Sequence, residues 1–86
     1  MDYSYPLDYK WTNDDILDVV SLYNAVEQAY ETGISKDEFL SAYRKFKNVV
    51  GTKSEEKQID REFEKVSGYS IYKVFKASKE NEWIKL

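Results

Sequence analysis

Three aspartates near the start of a predicted helix are candidate ligands for a divalent metal ion. Asp14, Asp15 and Asp18 lie within one helical turn of each other, and carboxylates placed in this way can converge on Ca²⁺ or Mg²⁺. Acids are also what the positive end of a helix dipole favours, and this run lacks the Asp-x-Asp-x-Asp-Gly spacing of a calcium loop. We therefore expect these residues to begin a helix, and we predict no metal site.

Basic residues form two rows at helical spacing in the second half of the chain. Such rows are typical of a nucleic-acid footprint, because Lys and Arg neutralise phosphates. The chain nevertheless has a formal net charge of −3, whereas nucleic-acid-binding domains usually carry a strongly positive face. Solvated helix faces are the preferred interpretation, and weak nucleic-acid association through the basic faces is an alternative. The rows are Arg44, Lys45, Lys47, Lys53 and Lys57, then Lys73, Lys76 and Lys79.

The chain is rich in aromatic residues, with eight Tyr, four Phe and two Trp. Tyr supplies amphipathic contact area at low cost in side-chain entropy, so exposed tyrosines are typical of recognition surfaces. The same rings can instead pack over the core, and packing is the preferred interpretation of the two. The candidate interaction surface consists of Tyr3, Tyr5, Tyr9, Trp11, Tyr69 and Tyr72.

The absence of His and Cys from the sequence excludes several kinds of site. Without them there is no imidazole base, no thiolate nucleophile and no soft ligand for zinc. An enzyme that uses carboxylates only is the remaining enzymatic alternative, and it would need a cleft with two carboxylates whose pKa values are pushed apart. We predict that the protein is not an enzyme and has no catalytic residue, no cofactor and no cofactor-binding residue.

Charge is unevenly distributed along the chain. Residues 1–43 carry nine acids and two lysines, a net charge of −7, whereas residues 44–86 carry eleven bases and seven acids, a net charge of +4. Opposite signs can attract each other across a helix interface or can steer a charged partner. Attraction within the domain is the preferred interpretation.

Caps, apolar stripes and glycines divide the sequence into helices. Each predicted helix follows a Ser or Thr that can act as an N-cap, and a glycine follows each of the first three. Apolar residues recur at three- and four-residue steps between them. These signals predict an all-α fold, a small single domain of about four helices with an extended aromatic N-terminal arm. The expected bounds are 1–12 for the arm and 13–32, 36–50, 54–67 and 71–80 for the helices.

The stripes also predict what lies in the core and at the two ends. Phe46 and Phe63 are expected to be core residues. Pro6 bars a helix through the arm, and a strand there has no evident partner. The apolar tail either folds back as a clasp or stays loose. Its apolar residues are Trp83, Ile84 and Leu86.

Four stretches of the sequence together carry a family resemblance. They read YSYPLDYKWT at 3–12, VEQAYETGI at 26–34, YRKFK at 43–47 and FEKVSGYS at 63–70. As a set they resemble the YktA-like uncharacterised protein family, a UPF family of Gram-positive bacteria, and the match runs nearly from end to end. The resemblance implies a small cytoplasmic helical protein. It implies no activity, so no catalytic residue is carried over from it.

The function class follows from these exclusions. The start of the chain lacks the basic and apolar regions of a secretory signal, and no apolar run approaches the roughly 20 residues that span a bilayer. We expect a cytoplasmic protein that has no membrane partner. The sequence favours a non-enzymatic protein-interaction or regulatory module whose partner is another protein or a second copy of the chain, and we do not expect nucleic acid or metal as a partner.

Overall fold

Four helices form most of the protein. A computed structural model describes residues 3–86, and about two thirds of these are helical. The helices are α1 (Asn13–Glu31), α2 (Lys36–Val49), α3 (Lys53–Ser67) and α4 (Ile71–Ser78). The predicted all-α class is confirmed. Met1 and Asp2, which begin the predicted arm, lie outside the described residues. Within residues 3–86, no helix has both the length and the apolar composition needed to cross a bilayer.

Side-chain caps set the starts of all four helices. At α1 the Thr12 hydroxyl accepts from the amide of Asp15 at 3.1 Å, and the Asp15 carboxylate accepts from the amide of Thr12 at 3.1 Å. This reciprocal pair is a complete capping box. The hydroxyls that cap α2, α3 and α4 belong to Ser35, Thr52 and Ser70. Local sequence therefore determines where each helix begins.

Two of the helices end at a glycine with a left-handed backbone. Gly33 after α1 has φ of 99° and Gly68 after α3 has φ of 80°, values that residues with a Cβ rarely adopt. The last helix ends at Ser78, two residues before the expected bound. Its final turn tightens, since the amide of Lys79 donates to the carbonyl of Lys76 at 3.2 Å.

A short antiparallel ladder joins the first helical connection to the tail. Strand β1 (Ile34–Ser35) pairs with β2 (Trp83–Ile84). The tail folds back as a clasp, since Ile84 is 1% exposed and the amide of Leu86 donates to the carbonyl of Ala29 at 2.9 Å. Two residues are too few to show the alternation that marks a strand, so the sequence contains no signal for this ladder.

The core is built on aromatic side chains from α1, α2 and α3. Tyr23 of α1 stacks on Phe63 of α3, with ring centroids 4.5 Å apart and 18° between the planes. Phe46 and Phe63 are completely buried, which confirms their predicted place in the core. Aliphatic residues fill the space around these rings, among them Val19, Leu22, Val26, Val50, Ile71 and Val74.

The third helix is the least embedded of the longer helices. The most extensive contact between two helices is that of α1 with α2, which are joined by the short connection at residues 32–35. By contrast, α3 lies against α4 along a short contact and reaches α1 and α2 mainly through side chains. Its buried residues are Ile59, Phe63 and Ser67. A groove therefore remains open between α2 and α3, bounded on its third side by α4.

Candidate interaction groove

The groove between α2, α3 and α4 has a volume of about 740 Å³. Ligand-binding pockets typically measure about 300–1,000 Å³. Its apolar wall consists of Tyr43 from α2 with Ile71 and Phe75 from α4, and Tyr72 borders it with 63% of its surface exposed. The groove is thus large enough to receive a side chain or a short segment of a partner.

Two stacked rings fix the apolar wall. The centroids of Tyr43 and Phe75 are 4.7 Å apart, with 25° between the planes. On its other side Tyr43 lies near the buried Phe46, with centroids 6.1 Å apart. The ammonium of Lys79 lies 4.9 Å from the centroid of the Phe75 ring, a cation–π arrangement. The wall is therefore a continuation of the core, and its half-buried rings present a preformed surface.

Glu56 links α2 to α3 at the groove. The Tyr43 hydroxyl donates to Glu56 Oε1, and Lys47 Nζ lies 2.6 Å from Glu56 Oε2. Partial burial alone would raise the pKa of Glu56, but the hydrogen bonds from Lys47 and Tyr43 outweigh it and lower that pKa. Burial and the bond to Glu56 raise the pKa of Tyr43 far above its usual value. At neutral pH the network is therefore an ionised carboxylate held by an ammonium and a phenol.

Asp60, one turn further along α3, anchors the start of α4. Its Oδ1 accepts from the amide of Ile71 at 2.8 Å. Burial raises the pKa of Asp60, while hydrogen bonds from the amides of Ile71 and Tyr72 oppose the rise without cancelling it. A carboxylate on the free amides of a helix N-terminus is a structural arrangement. Asp60 therefore connects α3 to the N-terminus of α4, at the place where the contact between these two helices is short.

Lysines surround the mouth of the groove. Lys53, Lys57 and Lys73 are exposed and line it together with the partly buried Lys47. Between residues 3 and 86 the ion pair is Lys47 with Glu56, both in the basic half of the chain. Among the described residues, no ion pair joins the acidic half of the chain to the basic half. Positive charge from both predicted basic rows is instead gathered at the groove.

The arm packs on α1 and α3 on a different part of the molecule. The hydroxyls of Tyr3 and Tyr5 both donate to Glu27, with Tyr5 Oη 2.8 Å from Oε1. The Tyr5 ring lies 5.1 Å from Tyr23, and both arm rings lie 6.3 Å from Phe63, centroid to centroid. Burial and the bond to Glu27 raise the pKa of Tyr5 to about 12. These two tyrosines therefore pack over the core.

The second half of the arm turns, which corrects the expectation of an extended segment up to residue 12. The carbonyl of Asp8 accepts from the amide of Trp11 at 3.0 Å, and its carboxylate accepts from the amide of Lys10 at 2.9 Å. Asp stabilises turns by such bonds to its own backbone. The turn leaves Tyr9 96% exposed and half-buries Trp11 against the core.

A smaller cleft of about 360 Å³ lies between residues 6–11 and α3. It contains Tyr9 and Trp11 from the predicted interaction surface, and its α3 side presents the acids Glu55 and Glu62. The acids that line this cleft are opposite in charge to the lysines at the mouth of the larger groove. It is therefore a separate surface.

The remaining two candidate tyrosines lie apart from each other. Tyr69 stacks on Tyr30 with centroids 4.4 Å apart and 10° between planes, and its hydroxyl donates to Glu31 Oε2 at 2.9 Å. That hydrogen bond, with burial, raises the pKa of Tyr69. Tyr72 borders the groove. The six predicted residues thus do not form one surface, and Tyr72 alone among them lines the groove.

Sequence reasoning did not select several of the groove residues, among them Tyr43, Phe75, Glu56 and Asp60. Tyr43 and Phe75 belong to ordinary helical stripes, and periodicity does not distinguish a ring on a groove wall from a ring in the core. The available signal was the spacing of Lys53 and Lys57, which places two positive charges on one face of α3.

The acidic cluster at the start of α1 has a capping role. Asp15 completes the capping box with Thr12, and Asp14 lies beside it in the first turn. In the described part of the chain, no group of three or more acids is gathered closely enough to hold a metal ion.

The fold and groove define a class, a small four-helix domain with an aromatic-walled, lysine-rimmed groove. The chain belongs to the uncharacterised protein family UPF0223, which residues 2–86 match. It is 52% identical to a UPF0223 protein of Bacillus cytotoxicus over 82 residues, 95% of this chain and 92% of that protein. It is 51% identical to one of Streptococcus uberis over 80 residues, 93% of this chain and 87% of the relative. The resemblance to an uncharacterised Gram-positive family is thereby confirmed.

Proposed function

We propose that this UPF0223 protein is a non-enzymatic, cytosolic protein-interaction module that binds its partner in the groove between α2, α3 and α4. The observation that carries the proposal is the half-buried Tyr43–Phe75 stack, which opens onto a space of about 740 Å³ with exposed lysines at its mouth. Protein interfaces combine an aromatic-rich centre with a polar rim, and contiguous apolar surface on a small domain marks a contact site.

One observation favours the rival function, an enzyme that uses carboxylates. Glu56 and Asp60 line the same groove, and their pKa values are shifted in opposite directions. Such pairs are a feature of acid–base sites. Each carboxylate, however, already has a structural partner: Lys47 and Tyr43 for Glu56, and the α4 amides for Asp60. The interaction module is therefore the better supported of the two.

The two functions predict different stabilities for a neutral variant of Glu56. A structural carboxylate whose pKa is lowered in the fold contributes stability when it is ionised, so Glu56→Gln is expected to lower the midpoint of urea unfolding. Catalytic carboxylates are often kept at a cost in stability, so unchanged or higher midpoints would favour the enzyme. Glu82→Gln, an exposed acid outside the groove, is the control.

Photo-crosslinking in cells tests the interaction proposal directly. A photoreactive phenylalanine is placed at Tyr72, which borders the groove, or at two exposed control positions, Leu17 on α1 and Tyr9 in the arm. The proposal predicts one defined crosslinked protein from position 72, absent from both control positions and lost when Lys57→Glu is added. The same products from all three positions would show that the groove is not the contact surface.

A further inference from the structure

Three lysines make the mouth of the groove positive. Lys53 and Lys57 lie one turn apart on α3, and Lys73 lies on α4 across the groove. All three are exposed, and within residues 3–86 none has an acidic group at ion-pair distance. Charges held around a concave surface attract ligands of opposite sign and raise the rate of association.

The carboxylates of the groove offset this charge only in part. Glu56 is compensated by Lys47 at 2.6 Å, and Asp60 accepts from the α4 amides. Glu64, the third groove acid, is exposed. Four lysines and three acids thus line the groove, a net charge of +1, and three of the lysines, Lys53, Lys57 and Lys73, are exposed at its mouth.

The wall behind the lysines suits an apolar side chain. The Tyr43 and Phe75 rings are half-buried and stacked at 4.7 Å, so both are fixed before any partner arrives. Tyr72, 63% exposed, borders the same space from α4. A ring or branched aliphatic group can lie against these faces in the offset or edge-on geometries that aromatic groups favour.

We infer that the groove binds an acidic segment of another protein, with an aromatic or aliphatic side chain lying on the Tyr43–Phe75 wall and acidic neighbours meeting Lys53, Lys57 and Lys73. The inference rests on the proposed function and specifies its partner. A nucleic acid fits less well, since the chain has a formal net charge of −3, whereas nucleic-acid-binding domains usually carry a strongly positive face.

A second copy of the chain also fits less well. The acidic half of a copy would have to enter the basic groove of its neighbour, which makes the contact head-to-tail. Such contacts close into rings or grow into filaments and do not give the two-fold dimers that are commonest. A segment from a different protein satisfies the same chemistry without that consequence.

A random-peptide library displayed on phage tests the chemistry against the folded full-length protein. Peptides that bind the wild type are screened against Lys57→Glu, with Lys53→Glu as a second groove variant. The matched control is Lys65→Glu, an exposed lysine of the same helix that does not line the groove. Circular dichroism verifies that each variant is folded. A fluorescein-labelled copy of the most enriched peptide is then titrated by anisotropy.

The inference predicts enrichment of peptides that place Asp or Glu beside Trp, Phe or Leu. Binding of the chosen peptide should weaken about tenfold in Lys57→Glu and change less than about twofold in Lys65→Glu, and it should weaken as NaCl rises from about 50 to 300 mM. Groove-dependent peptides without acids would overturn the acidic chemistry and leave the interaction module standing. Peptides whose binding no groove variant alters would overturn both.

Two further results would show that the groove binds a different kind of partner. Groove-dependent binding of a labelled single-stranded oligonucleotide, with no groove-dependent peptide, would overturn the inference in favour of nucleic acid. Concentration-dependent association in sedimentation velocity, abolished by Lys57→Glu, would overturn it in favour of a second copy.

Discussion

Tyr23 and Phe63 stack with their centroids 4.5 Å apart, and this contact joins α1 to α3 through the centre of the core. Because α3 meets the other long helices mainly through side chains, the stack helps to fix how far α3 stands from α2. The width of the groove thus depends in part on a core contact between two residues that do not line it.

Removing the Phe63 ring should be severely destabilising. Phe63→Ala is expected to lower the free energy of unfolding by about 3–5 kcal/mol, from lost transfer free energy and the cavity left behind. Phe63 is fully buried, whereas Tyr72, the control, is 63% exposed, and Tyr72→Ala should change stability far less. Urea denaturation measures both. Equal effects of the two substitutions would contradict the core that is described above.

The arm should contribute to stability although residues 3–12, its described part, have no regular secondary structure. Deleting residues 1–11 removes the rings of Tyr3 and Tyr5 from Phe63 and their hydroxyls from Glu27, but it leaves the Thr12 cap in place. We expect the melting temperature to fall by more than about 5 °C, since about 2 kcal/mol is a large fraction of a small domain's stability. An unchanged melting temperature would show that the arm is not part of the folded core.

The Glu56 network should make stability depend on pH in the acid range. The folded-state pKa of Glu56 is lowered from 4.5, so its contribution is fully present above that value and is lost as the pH falls through the folded-state pKa. The difference in unfolding free energy between wild type and Glu56→Gln should therefore be larger at about pH 7 than at about pH 3. Urea unfolding at both pH values measures it. A difference that stays constant with pH would contradict the network.

Glycine is required at position 33 for two physical reasons. Its φ is 99°, and a Cβ there would lie 2.5 Å from Trp83 Nε1. Gly33→Ala should therefore lower the unfolding free energy by more than about 1 kcal/mol. Adding Trp83→Ala should recover the part of this loss of unfolding free energy that is due to the clash. The part that is due to the unfavourable backbone conformation should remain. Gly51 is the control, because a Cβ there meets nothing within 4 Å. Equal losses for Gly33→Ala and Gly51→Ala would refute this argument.

The helices could be predicted because their signals are local. Thr12 and Asp15 bond across three residues, so the sequence alone indicates the start of α1. The groove could not be predicted in the same way, since it depends on the position of α3 relative to α2. The hydrogen bond between Tyr43 and Glu56 helps to fix that position, and the two residues are 13 positions apart in the sequence. Likewise, Tyr5 meets Glu27 across 22 positions, and no spacing rule links them.

The tail shows the same limit of local signals. Its apolar residues allowed either a clasp or a loose end, and the partner strand Ile34–Ser35 has two residues and carries no alternation that would decide between them. The candidate tyrosines were chosen by residue type, which does not separate the docked Tyr3 from the exposed Tyr72.

The central claim is that partners bind in the groove and not at the arm. The most direct measurement is a two-dimensional ¹⁵N–¹H NMR titration of the full chain with the protein captured from position 72, or with the selected acidic peptide. The largest amide shifts are expected at residues 53–60 and 70–75, with Tyr9 and Trp11 unchanged. Shifts concentrated at Tyr9, Trp11 and Glu62, around the smaller cleft, would contradict the claim.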